Sequence, residues 1–171
     1  MKYFTVGPSQ AYPKLKQYLR EALSKDIVSL SHRSERYVEI HEATVKSLRK
    51  LLSIPKGFEI FFYASSLESM ERILENAVFK HSFHVVTGAF SAKWAQFSAL
   101  LGKSPTAVNF NAAPGESLTD LKIPTKTELI CLTQNETSAG ISLPMSEIRA
   151  LVEKHKNKPL VALDIVLSHL L

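Results

Sequence analysis

The sequence predicts an α/β fold, an α/β/α sandwich built on a mostly parallel sheet. Three observations lead there. Beyond residue 57, short apolar runs alternate with stretches of helical periodicity, the pattern of βα units. Clusters of Gly, Pro, Ser and Asn stand between them, where a chain turns. Two of the runs, Leu129 to Leu132 and Leu160 to Leu163, lead straight into polar or acidic residues. Strands that end this way are how an open α/β sheet builds a ligand crevice.

Each element follows in order. Pro13 to Leu23 reads as a helix, with Leu15, Leu19, Ala22 and Leu23 at helical spacing, ended by Ser24-Lys25-Asp26. Ser34 is placed to cap the next helix, whose apolar stripe is Tyr37, Val38, His41, Val45, Leu48 and Leu52. Pro55-Lys56-Gly57 is a stop and turn. The aromatic run Phe58 to Tyr63 predicts a strand buried on both faces. Ser65 or Ser66 then caps a helix from about Leu67 to Asn76, with Glu68 and Ser69 as helix-start chemistry.

Phe83 to Thr87 predicts a second strand and Gly88-Ala89 a turn. Ala92 to Leu101 is a helix closed by Gly102. Ala107 to Phe110 is a short strand, and residues 111–127, rich in Pro, Gly, Ser and Thr, leave room for one short helix. Glu128 to Leu132 is the next strand. Pro144 opens a helix to about His155, proline being tolerated in a first turn. Leu160 to Val166 is the last strand. The sequence shows no repeat, no low-complexity segment and no clear linker.

At 171 residues the chain is one ordinary domain or a piece of a larger one. Its 45% hydrophobic and 22% charged residues are those of a soluble globular chain. No apolar run approaches the roughly 20 residues of a membrane span, and the N-terminus lacks the apolar stretch of a signal peptide. A cytoplasmic location is expected, with no membrane partner. The net charge of +5 is spread over Lys14 to Lys25, Lys46 to Lys50 and Lys154 to Lys158. Those residues alternate with apolar ones, the mark of solvated helix faces rather than of nucleic-acid binding. The one cysteine, Cys131, lies in an apolar run and reads as core. His41, His81, His84, His155 and His169 lack metal-ligand spacing, so no metal is expected.

Candidate site residues stand at strand ends. Ser65 and Ser66 offer hydroxyls and helix-start amides to a phosphate, or are a plain cap. Phe90, after a tight turn, either stacks on a flat ring or belongs to the core. Thr137 brings a hydroxyl, and Glu136 before it an acceptor for backbone amides, unless the segment is an ordinary polar loop. Asp164 requires a partner, either a protonated ring nitrogen or a helix amide. Arg33, in Ser31-His32-Arg33-Ser34, is a forked anion binder or a surface residue.

Taken in order, Gly7-Pro8-Ser9, Ser31-His32-Arg33, Ala64-Ser65-Ser66, Gly88-Ala89-Phe90, Asn135-Glu136-Thr137 with Gly140, and Asp164 form a recognisable series. The chain resembles the N-terminal part of phosphoserine aminotransferases, class V, fold-type I enzymes that use pyridoxal phosphate. The resemblance runs over nearly the whole chain. It implies that residues 1–171 are the N-terminal portion of the large, cofactor-binding domain, without the small C-terminal domain. It implies that Asp164 pairs with the pyridine nitrogen, Thr137 with the phenolic oxygen, and Ser65 and Ser66 with the phosphate. Phe90 would stack on the ring, where the family usually has tryptophan. His32 and Arg33 would face the anionic groups of the substrate, at a site completed in a homodimer. The family's Schiff-base lysine lies beyond the aspartate, and Ile165 to Leu171 hold none. The chain is therefore expected to carry no catalytic residue and to be a truncated copy.

The leading expectation is pyridoxal-phosphate-dependent transamination between phosphoserine, or a related amino acid, and 2-oxoglutarate, in serine biosynthesis. The alternatives are a non-catalytic remnant that binds the cofactor or only a partner subunit, and a phosphate-binding α/β module.

Overall fold

The computed structural model describes residues 10–155 and 159–166. Gly7, Pro8, Ser9, Ser168 and His169 lie outside the described residues. The chain divides into two compact units, Met1–Ile60 and Phe61–Leu171.

The first unit is helical. Helix α1 spans Leu15–Ser24 and α2 spans Glu35–Leu51. Ser34 caps α2 as its position predicts, its Oγ accepting from Tyr37 N at 3.2 Å. Arg49 and Lys50 occupy the last turn, where the helix dipole favours cations. Arg49 also donates to the carbonyls of Pro55 and Phe58, fastening the chain that follows. Neither helix buries a residue, and Tyr37 and Val38 of the predicted stripe stay exposed. Capping supports α2, α1 has no side-chain cap, and neither helix rests on burial among the described residues.

One predicted strand does not form. Phe58 to Tyr63 pairs with no strand of either sheet, and Phe61 is 73% exposed. Apolar composition alone does not specify a strand, which depends on cross-strand neighbours as well as on propensity. The boundary between the two units falls inside this run, after Ile60.

The second unit holds the sheet. Helix α3 (Ser66–Ala77) precedes β1 (His81–Val86), α4 (Ala89–Leu100) and β2 (Ser104–Asn109). A single 3₁₀ turn at Leu118–Asp120 leads to β3 (Leu129–Thr133). A small hairpin, β4 (Asn135–Glu136) and β5 (Ile141–Ser142), then α5 (Met145–Lys154) and β6 (Leu160–Asp164) complete it. The main sheet runs in the order β2-β1-β3-β6 and is parallel throughout.

Period-two alternation sends side chains to two cores. Phe83 and Val85 of β1 join Ile130 and Leu132 of β3 against Ile148 and Leu151 of α5. Leu129 and Cys131 turn the other way, to Met70 and Leu74 of α3 and Trp94 of α4. A helical layer thus covers each face, the α/β/α sandwich expected. Every residue of β3 is buried, which explains its unbroken apolar run. Burial pushes the Cys131 thiol far above its ordinary range, so it stays protonated and inert.

A polar group also sits in this core. His84 Nε2 lies 2.8 Å from Ser82 Oγ, which lies 2.8 Å from Ser98 Oγ, and the ring meets Trp94 edge to face. Nδ1 has no partner among the described residues. An unpaired acceptor is tolerated more readily than an unpaired N–H, which assigns the proton to Nε2.

The topology places the crevice. From β1 the chain crosses to β2 on one side and returns to β3 on the other, with α4 and α5 on opposite faces. The segments leaving β1 and β3 therefore diverge, which opens a space at their carboxyl ends.

Candidate functional site

That space is lined. Ser66, Leu67 and Met70 of α3, Phe90 of α4, Thr133, Asn135 and Thr137 after β3, and Asp164 and Val166 at the end of β6 surround a hollow of about 70 Å³. An adjoining hollow of about 380 Å³ shares Ser66, Met70, Asp164 and Val166. The larger is in the size range of small-molecule sites, roughly 300–1,000 Å³. Four residues singled out from the sequence, Ser66, Phe90, Thr137 and Asp164, thus meet at one place. Phe90 is 46% exposed and is not a core residue. Asp164 pairs in register with Thr133, so both side chains leave the sheet on the same face. The Asp164 carboxylate accepts from Val166 N at 3.1 Å.

Ser65 is the cap of α3. Its Oγ accepts from Glu68 N at 3.1 Å, and Glu68 Oε2 accepts from Ala64 N at 2.9 Å. The hydroxyl proton of Ser65 stays available to a further acceptor. The amides of Ser66 and Leu67 belong to the first turn, where no intrahelical acceptor exists. The start of α3 is thus open to an anion, with the Glu68 carboxylate beside it.

The start of α4 is closed. Thr87 N and Gly88 N donate to Ser91 Oγ at 2.9 and 3.0 Å, and Ala89 N donates to Ser138 Oγ at 2.8 Å. Phe90 N donates to Glu136 Oε1 at 3.3 Å and Ser91 N to Oε2 at 2.9 Å. The Ser91 and Ser138 hydroxyls point their own protons at the same carboxylate, at 2.9 and 2.5 Å. Glu136 is 1% exposed. Burial alone would raise its pKa, but the bonds from Ser138, Ser91 and Phe90 outweigh it and hold the carboxyl below its ordinary value. Gly88 makes room for this cluster: a Cβ there would lie 2.5 Å from Glu136 Cγ and 2.6 Å from Ser138 Oγ. Gly140, at φ +68°, supplies the left-handed turn of the β4–β5 hairpin.

His32 and Arg33 belong to the first unit and stand exposed on the turn before α2. That turn is closed by Ser34 N and Oγ donating to Ser31 O, at 3.0 and 2.8 Å.

Sequence reasoning missed five lining residues, one of them Val166, the last residue of the expected final strand. Leu67 and Met70 fall on the face that Ser66 begins, a helical repeat that was readable. Asn135 sits in the polar segment already singled out. Thr133 ends a fully buried strand, and its Oγ1 has no hydrogen-bond partner among the described residues. Only the structure reveals that orphaned hydroxyl. Among the described residues no helix is long and apolar enough to cross a membrane, and no cluster of His, Cys, Asp and Glu could hold a metal ion.

Comparison with known proteins bears on the family and the fold. The family model for aminotransferase class-V matches residues 5–169. A phosphoserine aminotransferase from Alkalihalobacillus alcalophilus is 33% identical over 127 residues, covering 68% of this chain and 35% of the relative. The crystal structure of a phosphoserine aminotransferase from Cytophaga hutchinsonii superposes with a TM-score of 0.87 at 38% identity, over 98% of this chain and 46% of that one. A phosphoserine aminotransferase from Trichomonas vaginalis, solved with pyridoxal phosphate bound, shares the fold at 22% identity and a TM-score of 0.65, covering 82% of this chain and 46% of that one. The chain spans between a third and a half of the length of these relatives. With a model match over nearly all its length, the chain belongs to the class-V aminotransferase family.

Proposed function

We propose that these residues form the ring- and phosphate-binding part of a pyridoxal-phosphate-dependent aminotransferase, acting between phosphoserine and 2-oxoglutarate. One observation carries the reading: Ser66, Phe90, Thr137 and Asp164 line a single pocket at the carboxyl ends of parallel strands.

The donor set fits the group. An acid, a free threonine hydroxyl, an orphaned buried hydroxyl at Thr133 and an open helix start surround apolar walls from Leu67, Met70 and Val166. A flat heteroaromatic ring with a phosphate tail needs each of these. Bound there, pyridoxal phosphate would supply a conjugated ring able to take up charge released at an amino-acid carbon.

The chain's own residues would then prepare that ring. Asp164 holds a proton on the ring nitrogen, by placing a negative charge beside it. Thr137 hydrogen-bonds the phenolic oxygen. Phe90 covers one ring face and keeps water from it. Ser65 and Ser66 hold the phosphate at the start of α3, where amides and the helix dipole favour an anion. His32 and Arg33 bind the anionic groups of the substrate, Arg33 by a forked pair of bonds. Ser65, Ser66, Phe90, Thr137 and Asp164 carry no amine, so these residues bind and tune.

The test is spectroscopic. The chain is mixed with pyridoxal phosphate, freed of excess, and its absorbance recorded with and without phosphoserine and 2-oxoglutarate. A retained, shifted band that Asp164→Asn abolishes is the expected result. Only the free-cofactor spectrum would sink the reading. Retention without any response to the substrates would point to the non-catalytic binding module instead.

A further inference from the structure

The structure assigns Glu136 as a positioning residue of this pocket, one that holds Phe90 and Thr137 in place together. The proposal rests on the reading above, in which those two residues contact the ring. Glu136 itself does not line the pocket that Phe90 and Thr137 share, and Thr137 is simply the next residue along the chain. Its side chain reaches across to the other loop. Phe90 is bonded through its amide to Glu136 Oε1, and Ser91 through its amide to Oε2. A single carboxylate therefore joins the segment that leaves β1 to the segment that leaves β3. These are the two segments that diverge at the crevice.

The chemistry of the cluster requires a carboxylate. Its partners are two backbone amides and two serine hydroxyls, donors all. The hydroxyls can rotate, but the two amides cannot, and one faces each oxygen. A glutamine there must set its NH₂ against Phe90 N–H or Ser91 N–H, whichever way it is flipped. Aspartate would be one carbon too short to reach both. The five amides from Thr87 to Ser91 all end on Ser91, Ser138 or Glu136, so the turn has no other anchor of its own. Glu136 also excludes any ligand phosphate from the start of α4, because it already fills that positive end with a negative charge.

The experiment compares Glu136→Gln with the unaltered chain by two measurements. Amide hydrogen exchange reads the clamp itself: Phe90 and Ser91 should lose protection while the amides of β1 and β3 keep theirs. Titration with pyridoxal and, separately, with inorganic phosphate reads its consequence. Affinity for pyridoxal should fall about tenfold, the scale of losing one charge-assisted bond. Affinity for phosphate, held at α3, should not change. Ser138→Ala removes one donor to Glu136 and the acceptor for Ala89 N but leaves both amide bonds to Glu136 in place, and should shift both readings in the same direction by less. If Glu136→Gln lowers both affinities alike, the residue merely supports the fold and the assignment is wrong. Unaltered pyridoxal binding, or unaltered protection at Phe90, overturns it as well. If the unaltered chain takes neither pyridoxal nor pyridoxal phosphate, the underlying reading falls and the assignment with it.

Discussion

Lowering the pH from 6.5 to 5 should destabilise the second unit through one residue, His84. Its imidazole is 1% exposed, on a central strand, and burial lowers its pKa to about 4. In the unfolded chain the group titrates near 6.5. Between the two values the unfolded state binds a proton that the folded state refuses, so stability falls as pH falls. The linkage relation puts the loss at about 2 kcal/mol at pH 5 and about 3 kcal/mol at pH 4. That is a large part of a typical domain stability of roughly 5–15 kcal/mol. The assay is urea denaturation followed by Trp94 fluorescence at pH 7, 6 and 5, with His84→Gln alongside. Glutamine keeps a hydrogen bond to Ser82 and does not titrate in this range, so its profile should be flat from 6.5 to 5. The window matters, because Glu136 and Glu128 act lower down. Burial opposes their charge, but hydrogen bonds prevail and depress both. Their stabilisation is present above about 4.5 and lost only as the pH falls through their folded values. Equal slopes for the two chains between pH 6.5 and 5 would refute the assignment to His84.

Two substitutions test the strand-end geometry. Gly88→Ala places a Cβ 2.5 Å from Glu136 Cγ and should cost about 1–3 kcal/mol in chemical denaturation, the range for overpacking. The backbone at Gly88 is extended and suits any residue, so the cost should shrink in a Glu136→Ala background; an additive double mutant would show that the clash is not the cause. Glu68→Gln keeps the acceptor for Ala64 N but removes a charge beside the open start of α3. Pyridoxal phosphate should bind roughly fivefold more tightly, on the order of 1 kcal/mol of like-charge repulsion relieved. Pyridoxal binding should be unmoved. Equal changes in both would place the phosphate elsewhere.

Most of the fold was readable because its signals are local. Ser34 and Ser65 cap helices where their spacing predicts, and the stop after Leu101 is set by Gly102. The run at β3 is continuous because both of its faces are covered. Phe58 to Tyr63 carries an equally apolar run and forms no strand, since pairing is a property of two segments and the sequence displays one. The pocket was partly legible for the same reason. Phe90, Thr137 and Asp164 each follow a strand, so knowing that the sheet is parallel brings them to one edge. Glu136 was read as an acceptor of backbone amides, and that much holds. Which amides it takes depends on β1 and β3 being neighbours, a register that no single segment encodes. His84 and the orphaned hydroxyl of Thr133 were invisible because a polar residue in an apolar run gives no sign of whether its partner is present.

In the proposed reading, the two helix starts at this edge differ in what they offer a phosphate-bearing ligand. Both α3 and α4 point their N-termini toward the carboxyl ends of the strands, and both carry the positive end of a dipole. The sequence points to Ser65 and Ser66 at the start of α3 for a phosphate, and the hydrogen bonding at the start of α4 offers a physical reason. All five amides from Thr87 to Ser91 already end on the protein's own oxygens, and a buried carboxylate sits where an anion would go. The α3 start keeps the first-turn amides of Ser66 and Leu67, and Ser66 faces the pocket. In that reading a ligand anchored there by its phosphate would extend across the crevice toward Asp164, past Phe90, both of which line the same pocket as Ser66. The internal carboxylate at α4 thus does two things at once. It ties down the turn that carries the aromatic, and it occupies the competing anion site, which in the proposed reading leaves the phosphate to α3.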